Sequence, residues 1–264
     1  CGEIIAVGKD VDTNRIGERV ITDNWHRDPS DPKNMNRTEY FGSERNGGFA
    51  EYTTIPSRNS VAVKSQLSNA ELATFSCSFS TAEGMLTRAA VSKTDCVLIP
   101  GASGGVGSAL VQLAKLRGAR VIAFASEAKH TAIEELGADV VLLRHPVDLK
   151  QKLQSERVTV VADIVGGVIW PELIDILQRG GRYVCSGAIA GPLVEFDLRT
   201  FYLRDLTFLG STIIDPAVTK NLIDYIEAGQ IKPVLATTFP LKELRQAQTA
   251  FTKKTHTGNI VVLP

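Results

Sequence analysis

Between residues 96 and 209 the chain alternates short apolar runs with longer stretches in which apolar residues recur at helical spacing. The runs Cys96–Ile99, Arg120–Phe124, Val140–Leu143, Val160–Val165, Arg182–Ser186 and Leu206–Leu209 predict strands. Gly105–Arg117, Glu127–Leu136, Val147–Gln154 and Ile169–Gln178 predict helices. Apolar strands spaced by helices belong to a parallel sheet covered on both faces, so this region is expected to be a doubly wound α/β domain.

The first 65 residues have another texture. "EIIAVGKDV" and "GERVITDN" are β-branched runs divided by glycine and polar residues, which predicts short strands within Glu3–Val7 and Glu18–Thr22. Trp25 to Asn46 is rich in Asp, Asn, Pro and Arg without periodicity, and reads as a long surface loop of functional or inserted origin. "NAELATFSCSFSTAEGMLTRAA" is helical in character. The tail from Ala217 to Pro264 predicts two helices and two strands, part of which should rejoin the first domain.

The junction of strand Cys96–Ile99 with the next helix holds Gly101-Ala102-Ser103-Gly104-Gly105-Val106-Gly107. It follows the dinucleotide fingerprint G-x-G-x-x-G in the form Ala102-x-Gly104-x-x-Gly107. Gly104 lets the backbone approach a pyrophosphate, Gly107 lets the helix pack on the strand, and the helix N-terminus offers amides to the phosphates. Val106, Leu110, Leu113 and Ala114 predict the buried stripe of that helix. A tight turn without ligand uses similar glycines, but the strand–glycine–helix order and the second strand at the expected distance point to a dinucleotide. That second strand ends at Ala125, where an NAD site places an acidic residue for the ribose 2′-hydroxyl. This chain has Ser126 there and Lys129 three positions on, a pair suited to the 2′-phosphate of NADP. Ser126 could equally cap the following helix, and Glu127 could serve the ribose of NAD.

Composition narrows the partners. The 264 residues carry 29 basic and 29 acidic side chains, so no basic field is available for nucleic acid or an anionic membrane. No apolar run is long enough to span a bilayer. The four cysteines, Cys1, Cys77, Cys96 and Cys185, have no CxxC spacing, which argues against a disulfide framework or zinc ribbon and points to a reducing, cytoplasmic setting.

Several separated pieces resemble the medium-chain dehydrogenase/reductase superfamily, the zinc alcohol dehydrogenases and quinone oxidoreductases. They are "VGKDVDTNRIGERV", "GGFAEYTTIP", "CSFSTAEGML", "VLIPGASGGVGSALVQLAK", "GRYVCSGAIAG" and "GNIVVLP", in the family's order across almost the whole chain. The resemblance implies a partial GroES-like β domain over 1–78, a Rossmann domain over 79–214, and a segment 215–264 partly returning to the first. It also implies that Cys1 falls within the family's catalytic domain rather than at its start, and that substrate meets nicotinamide in a cleft between domains.

The resemblance further implies roles. Thr81 matches the threonine beside the nicotinamide. Gly166 and Gly167 match the turn beneath the cofactor. Gly187, Ala188 and Ile189, with Gly210, Ser211 and Thr212, would border the ring. Ala102 to Gly107, Ser126 and Lys129 complete the cofactor set. Asn259 receives no role. Cys77, in Cys77-Ser78-Phe79-Ser80-Thr81, matches the cysteine that binds catalytic zinc in zinc-dependent members; its other reading is a small buried residue. A catalytic zinc needs three protein ligands, and no companion is evident, His26 lying in the polar loop. The structural zinc lobe needs four close cysteines, and Thr22 to Gly48 has none. The expected activity is NADP-dependent hydride transfer to a small carbonyl, enone or quinone substrate. A zinc alcohol dehydrogenase and a non-catalytic nucleotide-binding protein are the alternatives. The family's habit of pairing along an edge strand, here Leu206–Thr212, implies a homodimer.

Overall fold

The computed structural model describes residues 1–144 and 146–264 and divides into two compact units, Cys1–Ser80 with Ile213–Pro264, and Thr81–Thr212. In chain order the first unit begins with β1 (Gly2–Glu3), β2 (Arg19–Thr22), β3 (Trp25–His26), β4 (Glu39–Tyr40), β5 (Ser60–Ala62) and helix α1 (Asn69–Ala73). Helix α2 (Ser80–Arg88) opens the second unit. There follow β6 (Cys96–Ile99), α3 (Gly105–Leu116), β7 (Arg120–Ala125), α4 (His130–Glu135), β8 (Val140–Leu143), α5 (Leu149–Lys152), β9 (Val160–Asp163), α6 (Trp170–Asp175), β10 (Arg182–Cys185), α7 (Leu198–Leu203) and β11 (Thr207–Gly210). The chain returns to the first unit through α8 (Ala217–Glu227), β12 (Leu235–Pro240), α9 (Leu244–Thr252) and β13 (Asn259–Leu263).

The second unit is the doubly wound domain expected from the periodicity. Its six parallel strands run β11-β10-β9-β6-β7-β8. All four residues of β6 and of β9 are buried, as are five of the six in β7. One core cluster joins Leu98, Ile122, Phe124 and Val161 to Leu173, Ile174 and Leu177 from the α6 region. Trp170 stands among Tyr183, Phe196 and Phe208 with rings 5.2–6.0 Å apart, edge to face. Helix α3 is buried from Gly107 through Ala114 rather than along one stripe, because Gly107, Ser108 and Ala109 are small enough to admit neighbours all round; Val106 itself is half-buried.

The predicted helices are shorter than their periodicity. A 3₁₀ turn at Glu127–Lys129 precedes α4. Asp148, with φ +57°, stops α5 from starting at Val147. Another 3₁₀ turn, Gly167–Ile169, precedes α6, where Pro171 occupies the first turn.

The first unit has a three-stranded antiparallel sheet, β1-β2-β5, a parallel pair β12-β13, and a small ladder β3-β4. The strand expected over Glu3–Val7 is only Gly2–Glu3. The stretch expected to be a long featureless loop instead contains the β3-β4 ladder and a 3₁₀ turn at Met35–Arg37. Side chains hold it: Asn59 Nδ2 donates to the carbonyls of Asp23 and Trp25 at 2.9 and 3.0 Å. Arg27 donates to Asp23 at 2.8 Å and to the Ile214 carbonyl at 3.0 Å. Helix α1 starts at a capping box, Ser68 accepting from Glu71 N–H and the Glu71 carboxylate from Ser68 N–H.

Candidate functional site

Because all six strands of the second unit are parallel, their carboxyl ends share one sheet edge. That edge collects the fingerprint loop after β6, Ser126 after β7, Gly166-Gly167 after β9, Gly187–Ile189 after β10 and Gly210–Thr212 at the end of β11. Thr81 comes from a helix, α2, rather than from a strand end. From β6 the chain proceeds through β7 and β8 on one side and then resumes at β9 on the other. Ligands of open α/β sheets bind at such a switch point.

Gly104 is the N-cap of the twelve-residue α3 and brings no side-chain cap, so the first-turn amides and the positive dipole end face outward. A Cβ on Gly104 would meet nothing nearer than the Gly101 carbonyl at 3.8 Å. At Gly107 it would lie 2.2 Å from that carbonyl and 2.7 Å from Ala102 Cα. The two glycines therefore do different things: Gly104 leaves room above the helix end, and Gly107 lets helix and loop touch. Ala102 N–H donates to the Phe124 carbonyl at 3.1 Å, which ties the loop to β7.

At the tip of β7 the Ser126 hydroxyl makes no capping bond; only its carbonyl accepts, from Lys129 N–H at 2.8 Å. Burial, and then the nearby Arg144 guanidinium, hold the Lys129 ammonium pKa below its ordinary value. Arg144, the residue after β8, was not among the sequence-predicted site residues, although a cation directly after a predicted strand end was the signal for it. Gly166 and Gly167 take φ of +60° and +71°, the left-handed region that favours glycine.

In the first unit Cys77 is exposed rather than buried, and it lies within a π-helical turn, Phe75–Phe79. Such turns are frequent at functional sites. The Tyr40 hydroxyl donates to Cys77 Sγ at 3.5 Å and accepts from Asn24 Nδ2 at 3.4 Å. Burial first, and then the neighbouring thiol, push the Tyr40 pKa upward. Trp25 packs on the Tyr40 ring at 4.6 Å, the two being cross-strand partners. Asn259, without a role in the sequence, accepts from Ser78 Oγ at 2.6 Å and so fastens β13 beside Cys77. His26, in the polar stretch, is only 5% exposed. Among the described residues no three His, Cys, Asp or Glu side chains converge as a metal site. Cys77 with a tyrosine neighbour does not by itself fit a catalytic zinc, which needs three protein ligands.

A dinucleotide-type Rossmann unit joined to a small β unit defines an alcohol-dehydrogenase-like oxidoreductase. Residues 1–65 match the alcohol dehydrogenase GroES-like domain, and 105–228 match the zinc-binding dehydrogenase family. The chain belongs to the medium-chain dehydrogenase/reductase superfamily, whose members are NAD(P)-dependent oxidoreductases. It is 43% identical to a solved structure from Sinorhizobium meliloti 1021, covering 100% of this chain and 74% of that one, with a TM-score of 0.95. An acryloyl-coenzyme A reductase of Metallosphaera sedula is 28% identical over 99% of this chain and 80% of its own length. An NAD-dependent alcohol dehydrogenase of Sulfolobus acidocaldarius is 27% identical over 93% and 75%. Among the described residues no helix is long and apolar enough to cross a membrane.

Proposed function

We propose that the chain is an NADP-dependent reductase that transfers hydride to a small substrate with an activated double bond or carbonyl, an enone or quinone type. The observation that carries the cofactor preference is Ser126, with no capping bond, at the tip of β7 where an NAD site has an acid, together with two cations, Lys129 and Arg144, that follow the neighbouring strands β7 and β8. A 2′-phosphate there could accept charge-assisted hydrogen bonds from these side chains. In this reading the amides of Gly105 to Gly107, in the first turn of α3, hold the pyrophosphate, the Gly104 amide being engaged by the Gly101 carbonyl at 3.3 Å. Thr81, Gly166, Gly167, Gly187, Ala188, Ile189, Gly210, Ser211 and Thr212 flank the nicotinamide half. The bound nicotinamide supplies the hydride. The protein orients it and contributes the electrostatics, and orientation accounts for much of the rate. Similarity to an acryloyl-coenzyme A reductase supports conjugated double bonds as the substrate class. A second copy would pair along the outer edge of β11, which ends the sheet.

The test is calorimetric binding of NADPH and NADH to the protein and to Arg144→Ala. NADPH is expected to bind tighter, and Arg144→Ala to weaken NADPH about tenfold, the effect of one charge-assisted bond, while leaving NADH unchanged. Tighter NADH binding by the unaltered chain overturns the preference and transfers the ribose contact to Glu127.

A further inference from the structure

The end of β9 carries a carboxylate that the cofactor reading does not use. Asp163 is fully buried. Its Oδ1 accepts from Val165 N–H at 2.7 Å, both oxygens accept from Gly166 N–H at 3.2 Å, and Oδ2 accepts from the Tyr183 hydroxyl at 2.8 Å. Burial and the adjoining carboxylate raise the Tyr183 pKa, which keeps that phenol a donor. These bonds take the two amides that would have continued the strand and fold 164–167 across its end.

The turn so formed is in contact with both neighbouring loops. Gly167 N–H donates to the Gly191 carbonyl at 3.0 Å, and Ala190 N–H to the Val165 carbonyl at 2.9 Å. A Cβ on Gly167 would lie 2.8 Å from the Ala190 carbonyl oxygen. On the opposite side, a Cβ on Gly101 would stand 2.7 Å from Val165 Cγ2, so the fingerprint loop rests directly on Val165. A shift of the 164–167 turn must therefore move loop 187–191, loop 101–107, or both.

We propose that Asp163 is a positioning residue, fixing through the Val165 and Gly166 amides and Tyr183 the turn that supports the nicotinamide half of the dinucleotide. This inference rests on the cofactor reading above. β9 and β10 lie on the opposite side of β6 from β7 and β8. The turn accordingly serves the half of the ligand that Ser126, Lys129 and Arg144 do not. Asp163 itself touches neither ring nor substrate; it acts through the backbone. Reacting groups lose rate steeply when displaced by about 1 Å, so such a support has leverage.

The experiment measures binding of two probes, NADPH and adenosine 2′,5′-bisphosphate, to the full chain and to Asp163→Ala and Asp163→Asn. The bisphosphate reports the adenosine half together with the fingerprint loop that would hold its 5′-phosphate, so it separates a shift of loop 187–191 from one of loop 101–107. Asp163→Ala is expected to weaken NADPH about tenfold, as for the loss of one or two hydrogen bonds to a charged group, and to leave the bisphosphate unchanged. Asp163→Asn keeps an oxygen for both amides and presents its Nδ2 to Tyr183, whose hydroxyl can turn to accept, and is expected to restore NADPH affinity to within about threefold. Equal weakening of both probes would mean a general structural role and overturns the inference, as does unchanged NADPH binding in a folded Asp163→Ala. An Asn variant as weak as Ala overturns it too, since charge rather than the amide bonds would then be at work. If Asp163→Ala does not fold, Tyr183→Phe is read in the same way: about threefold weaker NADPH with the bisphosphate unchanged supports the inference, and no difference between the probes overturns it. A folded parent chain that binds neither probe removes the cofactor reading, and this inference with it.

Discussion

The parallel sheet of the second unit and the antiparallel strands of the first are held together by different means. In the former, β6, β7 and β9 are buried on both faces and the strands meet through side-chain packing. In the latter, strands of two to four residues are too short to specify themselves. There, long polar side chains reach across the chain to backbone carbonyls. Arg15 donates to the carbonyls of Ser57 and Ser60 at 2.9 and 2.7 Å, Arg19 to those of Leu67 and Ser65, and Asn59 to those of Asp23 and Trp25. The lesson is that apolar periodicity announces a fold only where burial on two faces is what holds it.

The largest effect on the second unit is expected at Trp170. Its indole fills the centre of the aromatic group of the second unit, and Trp170→Ala is expected to cost about 3–5 kcal/mol through lost contacts and a cavity. The chain has two tryptophans, so Trp25 becomes the sole indole emitter in that variant and reports the first unit separately. The expected result is a lowered transition in circular dichroism with the Trp25 emission midpoint retained. Parallel shifts of both signals would mean that the two units unfold as one and that the contrast drawn between them does not extend to stability.

A smaller effect is expected in the first unit. Asn59→Ala takes the side-chain donor from the Asp23 carbonyl and leaves the Trp25 carbonyl with Arg27 Nη1 at 3.2 Å, at a position only 3% exposed, and should cost about 1–3 kcal/mol. Hydrogen exchange locates the damage. Faster exchange is expected in 22–26, 39–41 and 60–62, with β6 and β7 unaffected. Faster exchange spread evenly over both units would show that Asn59 is not a local fastener.

The same contrast explains what was legible in the sequence. Cys96–Ile99 and Val140–Leu143 match their predicted bounds, the first fully buried and the second an edge strand that keeps its apolar run although Leu143 is 49% exposed. The strand predicted over Val160–Val165 ends two residues sooner, at Asp163, because that side chain captures the amides of Val165 and Gly166. Periodicity carries no trace of a side chain that competes for backbone bonds. The two-residue β3-β4 ladder leaves no periodicity, and the side chain that fastens its start, Asn59, lies more than 30 residues away in sequence. Candidate cofactor positions were readable wherever they follow a strand in sequence. Arg144 beside Lys129 and Tyr40 beside Cys77 are juxtapositions across elements, which a linear pattern does not encode.

The mildest test uses pH, and it concerns His26. This imidazole is 5% exposed, both ring nitrogens are buried without a hydrogen-bond partner, and the ring stacks on Phe41 at 6.0 Å. Burial, chiefly, and the guanidinium of Arg45 and then of Arg58 lower its pKa, while Asp23 and Glu39 oppose them with smaller net effect. A folded-state pKa below the unfolded one means that the unfolded chain binds the extra proton first as pH falls. Stability from this group is therefore fully present above the unfolded value of about 6.5 and declines below it toward the folded pKa, by at most about 1.4 kcal/mol per pH unit. His26→Phe keeps the stacking ring and removes the titration. Exchange rates of the β3-β4 amides, measured from pH 7.5 down to 5 and corrected for intrinsic chemistry, should rise in the parent chain and stay level in the variant. The β6 and β7 amides should show no difference between the two proteins at any of these pH values. If the parent and His26→Phe lose protection at β3-β4 in parallel, the acid sensitivity belongs to another group, and His26 is simply a ring in the packing.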